Sequence, residues 1–267
     1  MTTDKTQGTA LITGASTGIG ALYAERLARR GYDLILVARD RVRLDGLALR
    51  VAQQTGRAVE VIAADLGNRT DLATIESKLR TDERITMLVN NAGVGATAPL
   101  LASDVDKMDA MIALNTHALM RLTYAAAPGF VARGGGAIIN ISSIAAVAPE
   151  ILNGVYAGTK AFVLAFSQSL HHELAAKNVR VQVVLPGATA TNFWGIAGLP
   201  LEHLPEHIVM SGENMVDAAL AGFDQGEIVT VPSLPEISEW DTFEAARKAL
   251  GPNLSRTTPA PRYGLAA

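Results

Sequence analysis

The chain has 267 residues, of which 49% are hydrophobic and 18% charged, which is enough apolar material for a globular protein with a sizeable core. Twenty-six acidic residues against 23 basic ones leave a formal charge of −3, too weak a field to gather polyanions, so no nucleic-acid partner is expected. The absence of cysteine removes disulfides, thiolate nucleophiles and cysteine-ligated metals, and the leading MTTDKTQGTALITG has no apolar signal core; with no run near the roughly 20 apolar residues that span a bilayer, a cytoplasmic protein without membrane contact is expected.

The first predicted element is the strand TALIT (9–13), followed by the turn TGASTGIG and a helical stretch, GALYAERLARRG, in which Tyr23 and Leu27 share a face distinct from that of Leu22 and Arg26. A strand-to-helix turn of this kind offers unpaired N–H groups to a pyrophosphate. Gly14 can take a positive φ at the strand exit, Gly18 permits close approach to phosphate and Gly20 lets the helix pack on the sheet; Ser16, Thr17 and Ile19 complete the candidate phosphate-binding turn. The spacing TGxxxGxG departs from the common GxGxxG fingerprint.

The second strand, DLILVA (33–38), ends at Arg39. A guanidinium cannot accept the hydrogen bonds of a ribose diol but can clamp a 2′-phosphate, with Arg41 or Arg43 as further positive charge, so NADP(H) is favoured over NAD(H). The alternative is an arginine solvated at a strand end, which Asp40 next door could neutralise in part. The third strand, AVEVIAA (58–64), leads to Asp65 and Leu66; Asp65 could accept from an adenine amino group or belong to the N-cap region of the next helix.

The strands ITMLVN (85–90), GAIINIS (136–142), VRVQVVL (179–185) and EIVTV (227–231) follow, each separated from the next by helical sequence. The repeat predicts an α/β fold of Rossmann type, a doubly wound parallel sheet of about seven strands in a single domain, with ligands beyond the carboxyl ends of the strands. Residues 1–231 form this domain, with a substrate loop at about 188–212, and the proline-rich 232–267 is an extension of the same domain holding one short helix near 239–250. Trp240, Phe243 and Tyr263 need burial, so the extension is expected to cover the substrate mouth or a neighbouring subunit.

YAGTK places Tyr156 and Lys160 one helical turn apart, on one face. Together with TGASTGIG, NNAG (90–93), Asn115 in ALNTH, Ser143 in NISS and PGATAT (186–191), it makes the chain resemble the classical short-chain dehydrogenase/reductase family over about residues 9–231, with Tyr156 13 positions after Ser143. The resemblance implies that Tyr156 is the general acid or base of hydride transfer between a nicotinamide and a carbonyl or secondary alcohol. It implies that Ser143 polarises the substrate oxygen, and that Lys160 orients the nicotinamide ribose and lowers the Tyr156 pKa. Asn115 resembles the family asparagine whose main chain holds a relay water.

Asn91, Ala92 and Gly93 are expected to line the adenosine side and Pro186 and Gly187 to turn the chain toward the nicotinamide, and the family resemblance implies Thr189 and Thr191 as candidates for carboxamide and phosphate contacts, with Thr191 the better match. Ser142 is the rival of Ser143. Val94, Ile144, Ile151, Phe193 and Trp194 are expected to line an apolar substrate pocket, which suits a ketone or aldehyde better than a sugar phosphate. The five histidines lack the HExxH spacing, so no metal site is expected. A cofactor-binding sensor or scaffold on the same fold is the alternative from another class; the intact serine, tyrosine and lysine favour the enzyme. The family resemblance further implies a homodimer or homotetramer through the helices that carry Asn115 and Tyr156.

Overall fold

The computed structural model describes residues 6–265. Its strands are β1 (Thr9–Thr13), β2 (Asp33–Ala38), β3 (Val59–Ala63), β4 (Ile85–Asn90), β5 (Gly136–Ile141), β6 (Val179–Val184), β7 (Thr189–Ala190), β8 (Met210–Ser211) and β9 (Val229–Thr230). Its α-helices are α1 (Gly18–Arg29), α2 (Arg41–Thr55), α3 (Arg69–Thr81), α4 (Val105–Ile112), α5 (Leu119–Ala132), α6 (Gly154–Leu174), α7 (Phe193–Ala197), α8 (Gly212–Gln225) and α9 (Ile237–Ala249). Contacts divide the chain into two compact units, Met1–Pro232 and Ser233–Ala267.

The first unit is the doubly wound α/β fold. Its seven-stranded sheet runs β3-β2-β1-β4-β5-β6-β9, and every pairing is parallel. Strand residues alternate between two apolar layers because successive side chains point to opposite faces. Ala10, Ile12, Leu34 and Leu36 pack with α1, α2 and α8, whereas Leu11, Ile35 and Val37 pack with α3, α5 and α6. The chain moves outward in both directions from β1, so the crevice at the carboxyl ends of β1 and β4 is the switch point where such sheets bind ligands.

Three elements depart from the expected pattern. The last strand of the large sheet is only Val229–Thr230, because Glu227 is drawn into the turn that ends α8: its N–H donates to the Gly222 carbonyl at 2.9 Å, after Gly226 takes φ 83°. The predicted loop at 188–212 is partly ordered by α7 and by a two-residue parallel ladder of β7 with β8, too short to leave a periodic signal. Between α4 and α5, residues Ala113–Ala118 form a π-helical stretch that carries Asn115 inward.

In the second unit, α9 begins two residues earlier than expected, and Trp240 and Phe243 pair within it at 5.2 Å between ring centres. No helix among the described residues is long and apolar enough to cross a membrane.

Candidate active site

The turn after β1 is built to leave backbone exposed. Gly14 has φ 65°, and a Cβ there would lie 2.8 Å from Asn91 Nδ2 and 2.9 Å from the Ala92 Cα; a Cβ at Gly20 would meet the Gly14 carbonyl at 2.4 Å. Asn91 braces the turn by donating from Nδ2 to the carbonyls of Thr13 (2.9 Å) and Gly14 (3.1 Å). Helices α2, α3, α4, α6 and α8 are capped by the side chains of Asp40, Asn68, Asp104, Asn153 and Ser211. Helix α1 has no side-chain cap and no acidic residue in its first turn. Its free N–H groups, beside the half-buried Ser16, Thr17 and Ile19, thus fit a dinucleotide pyrophosphate.

Around this turn the structure sorts the predicted contacts. Thr191 is half-buried beside it, 3.4 Å from where a Gly18 Cβ would be. Thr189 is buried, and its hydroxyl donates to the Gly187 carbonyl at 3.1 Å, so it points into its own loop rather than toward a ligand. The Pro186 carbonyl accepts from the Ile144 N–H at 3.1 Å and joins this turn to the end of β5. Arg39 is exposed, and no ion pair reaches it among the described residues. The predicted neutralisation by Asp40 is corrected: Asp40 accepts from the Arg43 N–H at 3.0 Å as a helix cap and pairs with the Arg43 guanidinium at 3.2 Å. Arg41 is likewise held, by Asp45 at 2.9 Å. Asp65 accepts from Gly67 N–H at 2.9 Å, and the cap of α3 is Asn68, not Asp65; the Leu66 side chain lies in the core.

At the end of β5 the two serines part company. The Ser142 hydroxyl is buried and donates to the Lys160 carbonyl at 2.7 Å. Ser143 caps a short 3₁₀ turn, accepting from the Ala145 N–H at 3.2 Å, and its hydroxyl is close enough to the Tyr156 phenol to pull the phenol's pKa down. Tyr156 stands in the first turn of α6, whose cap Asn153 also grips the Ala98 carbonyl at 2.7 Å. Lys160 Nζ lies 5.7 Å from the centre of the Tyr156 ring and donates to the Ile141 carbonyl at 3.0 Å.

The expectation that Lys160 lowers the Tyr156 pKa is corrected for the protein by itself. Burial pushes the phenol up to about 12, against a smaller downward pull from Ser143, and burial also lowers the Lys160 ammonium to about 8. Desolvation disfavours both charged forms, and the ammonium is directed at a backbone carbonyl instead of the phenol.

Asn115 is fixed by its side chain: Nδ2 donates to the Val94 carbonyl and Oδ1 accepts the Val94 N–H, both at 2.9 Å, while Nδ2 also reaches Thr159 Oγ1 at 3.1 Å. A Cβ on Gly93 would lie 3.1 Å from Asn115 Oδ1 and 3.6 Å from Lys160 Nζ, so the NNAG loop, Asn115 and Lys160 form one packed unit.

Tyr156 sits in an apolar cluster with Met111, Ala145 and Ala157, against which Val94, Leu152 and Phe193 pack. Ile144 is half-buried and Ile151 is exposed at the rim. Trp194, expected in the pocket lining, is 8% exposed, and its Nε1 donates to the Thr189 carbonyl at 3.0 Å.

A family model described as short chain dehydrogenase matches residues 8–197. The chain belongs to the short-chain dehydrogenase/reductase family. A short-chain dehydrogenase from Sphingobium yanoikuyae, solved in complex with NADPH, is 49% identical, with a TM-score of 0.92 over 95% of this chain and 98% of that one. A bulky-bulky ketone specific alcohol dehydrogenase from Comamonas testosteroni is 44% identical, with a TM-score of 0.89 over 97% and 99% of the two chains. Among curated relatives, a very-long-chain 3-oxoacyl-CoA reductase from Anas platyrhynchos is 40% identical over 187 residues, 68% of this chain and 60% of its own length. The chain thus spans about three fifths of the length of the curated relatives it matches.

Within this short-chain dehydrogenase, three positioning residues went unnoticed in the sequence. Thr13 Oγ1 accepts from the N–H groups of Asn91 and Ala92, both at 3.0 Å, and so couples the glycine turn to NNAG. Asn153 caps α6, a role its place before the helix that carries YAGTK could have suggested. Thr159, which meets Asn115, had no local signal because the contact crosses from α6 to the π-helical stretch.

Proposed function

We propose that the protein is an NADP(H)-dependent reductase of bulky, apolar ketones or aldehydes and, in reverse, a dehydrogenase of the matching secondary alcohols. The observation that carries this reading is the convergence of Ser143, Tyr156 and Lys160 at the end of β5, beside the uncapped α1 turn. The nicotinamide, when bound, supplies or accepts the hydride.

The protein's own groups manage the substrate oxygen. Ser143 Oγ donates a hydrogen bond to that oxygen as negative charge develops on it. In reduction the Tyr156 hydroxyl gives it a proton, and in oxidation the phenolate takes that proton back. The phenol, whose pKa burial raises, carries its proton at neutral pH and is therefore in the form that donates in reduction. Lys160 would hydrogen-bond the ribose hydroxyls of the bound cofactor, and it keeps positive charge near the phenol. Asn115 fixes the Val94 loop against both.

The NADP(H) preference rests on Arg39, the guanidinium at the end of β2 that Asp40 and Asp45 leave unpaired. The relative solved with NADPH agrees with it. The substrate class rests on the apolar lining by Val94, Leu152 and Phe193 and on the bulky-ketone relative. Exposed aromatic residues on α5 and α6 support a homodimer or homotetramer through those helices: Tyr124, 68% exposed, stacks on Phe166 at 6.4 Å, and Phe166 stacks on Phe162 at 5.5 Å.

Initial rates of NADPH and NADH oxidation across a panel of ketones and aldehydes test the reading. NADPH-dependent turnover of the bulky apolar members, abolished in Tyr156→Phe, is expected. A purified, folded protein that reduces none of the panel, with Tyr156→Phe altering only stability, returns the chain to the alternative of a cofactor-binding sensor.

A further inference from the structure

Phe193 opens α7, and its ring lies 5.8 Å from that of Tyr156 at an interplanar angle of 49°. The ring is seated on Gly95. A Cβ at residue 95 would fall 2.2 Å from Phe193 Cζ and 2.7 Å from Cε2, closer than any side chain tolerates. The backbone at Gly95 lies outside the left-handed region, so its want of a side chain answers to this contact and not to its dihedral angles.

Helix α7 is itself tied down. The Ala197 carbonyl accepts from both the N–H (3.1 Å) and the Oγ1 (2.9 Å) of Thr97, and Trp194 Nε1 holds the Thr189 carbonyl. Tyr156 beneath the ring is only 5% exposed. We infer that the Phe193 side chain is a gate over Tyr156 and that Gly95 is the specificity-determining notch that receives it, so that the bulk at residue 95 sets which carbonyls are accepted.

The gate turns by rotation of one side chain, because Thr97 holds the α7 backbone at Ala197 and the Trp194 indole ties the helix to the Thr189 carbonyl, while the Phe193 ring carries no such tie. A ketone with two large apolar substituents displaces the ring and replaces one apolar contact by another. A small ketone depends on the closed ring to fill the space it leaves. The inference rests on the proposed function for its substrate class; the seating of Phe193 in Gly95 does not.

Trp194 meets the Phe193 ring edge-on at 5.6 Å and 89°, and the chain has only one other tryptophan. The test therefore uses a Trp240→Phe background, in which Trp194 is the only tryptophan and is excited selectively over tyrosine. Gly95→Ala is expected to shift Trp194 emission and raise its quenching by acrylamide, and to change the ratio of kcat/KM for bulky over small ketones about tenfold in favour of the bulky ones. Phe193→Ala should move both readouts the same way, and the double variant should match Phe193→Ala alone, since the notch has no function without the ring. Emission, quenching and substrate ratio unchanged in Gly95→Ala, or effects of the two substitutions that simply multiply, overturn the inference. A parent that reduces no ketone sinks the proposed function instead, and the emission arm then still decides whether Gly95 seats the ring.

Discussion

The Lys160 ammonium donates to the Ile141 carbonyl at 3.0 Å, which joins the middle of the active-site helix to the last residue of β5. The adjacent Ser142 hydroxyl donates back to the Lys160 carbonyl at 2.7 Å, so the lysine is held by its backbone and its side chain at once. Ser142 therefore shapes the site without facing it, and Ser143 is left to meet the phenol. Ser143→Ala is expected to reduce kcat by about 10²–10³-fold with little change in stability. Ser142→Ala should cost about 1 kcal/mol of stability and leave kcat within a few-fold of the parent. Steady-state rates and thermal unfolding of the two variants check the division, and a reversed pattern would reverse the assignment.

Burial moves the pair in opposite directions, and stability should follow. Lys160 titrates at about 8 in the folded protein against 10.5 unfolded, so between those pH values the unfolded chain holds the extra proton and this group adds stability as pH rises. Tyr156 titrates at about 12 against 10.0, so its contribution is full below 10 and is lost as pH climbs toward 12; Tyr23, also raised by burial, adds to that loss. Urea midpoints from pH 7 to 11 should therefore lose their rise above pH 8 in Lys160→Met and fall less steeply at the alkaline end in Tyr156→Phe. Curves parallel to the parent in both variants would refute the coupling.

Arg39 stands free while Arg41 and Arg43 are paired, so the three arginines should not be equivalent. Arg39→Leu is expected to raise KM for NADPH by roughly 10–100-fold, the worth of hydrogen bonds to a charged group, and to leave KM for NADH nearly unchanged. The corresponding leucine variants of Arg41 and Arg43 should have only a few-fold effect. Coenzyme titrations of the three proteins make the comparison; equal losses for both coenzymes in Arg39→Leu would remove the 2′-phosphate assignment.

Glu76 on α3 is buried, and it accepts hydrogen bonds from the Arg121 and Arg80 guanidinium groups, which hold its carboxyl below the usual range. The stability it contributes is present above the unfolded pKa and is lost as pH falls through the folded one. Glu76→Gln should destabilise the protein by about 1–3 kcal/mol at pH 7 and by less near pH 3, with kinetics at the distant site preserved. Denaturant unfolding at the two pH values measures it. An equal loss at both would mean that the ion pairing contributes nothing.

Gly158, between Tyr156 and Lys160 in YAGTK, is exposed, and a Cβ there would meet nothing within 4 Å in its own chain. In the proposed oligomer a glycine here would let a second copy come close to α6, and Phe162 stands one turn along the same helix. Gly158→Ala is expected to weaken self-association about tenfold or more, although in an isolated chain it would stabilise α6 by about 0.5–1 kcal/mol. Sedimentation equilibrium of parent and variant tests this, and an unchanged association constant would free α6 from the interface.

What the sequence determined by itself was whatever local periodicity and turn chemistry fix. The continuous apolar runs of TALIT and DLILVA marked buried strands, the glycines of TGASTGIG set the nucleotide turn, and a four-residue step on one helix put Tyr156 and Lys160 on a common face. The tertiary structure decided what depends on neighbours remote along the chain. It turned Ser142 toward Lys160 and Ser143 toward Tyr156, gave Asp40 to Arg43 and left Arg39 free, and seated Phe193 on Gly95. Adjacent serines and adjacent charges carry the same local signal, and only the packing of β5 against α6, or of α7 against the loop after β4, gives each side chain a partner.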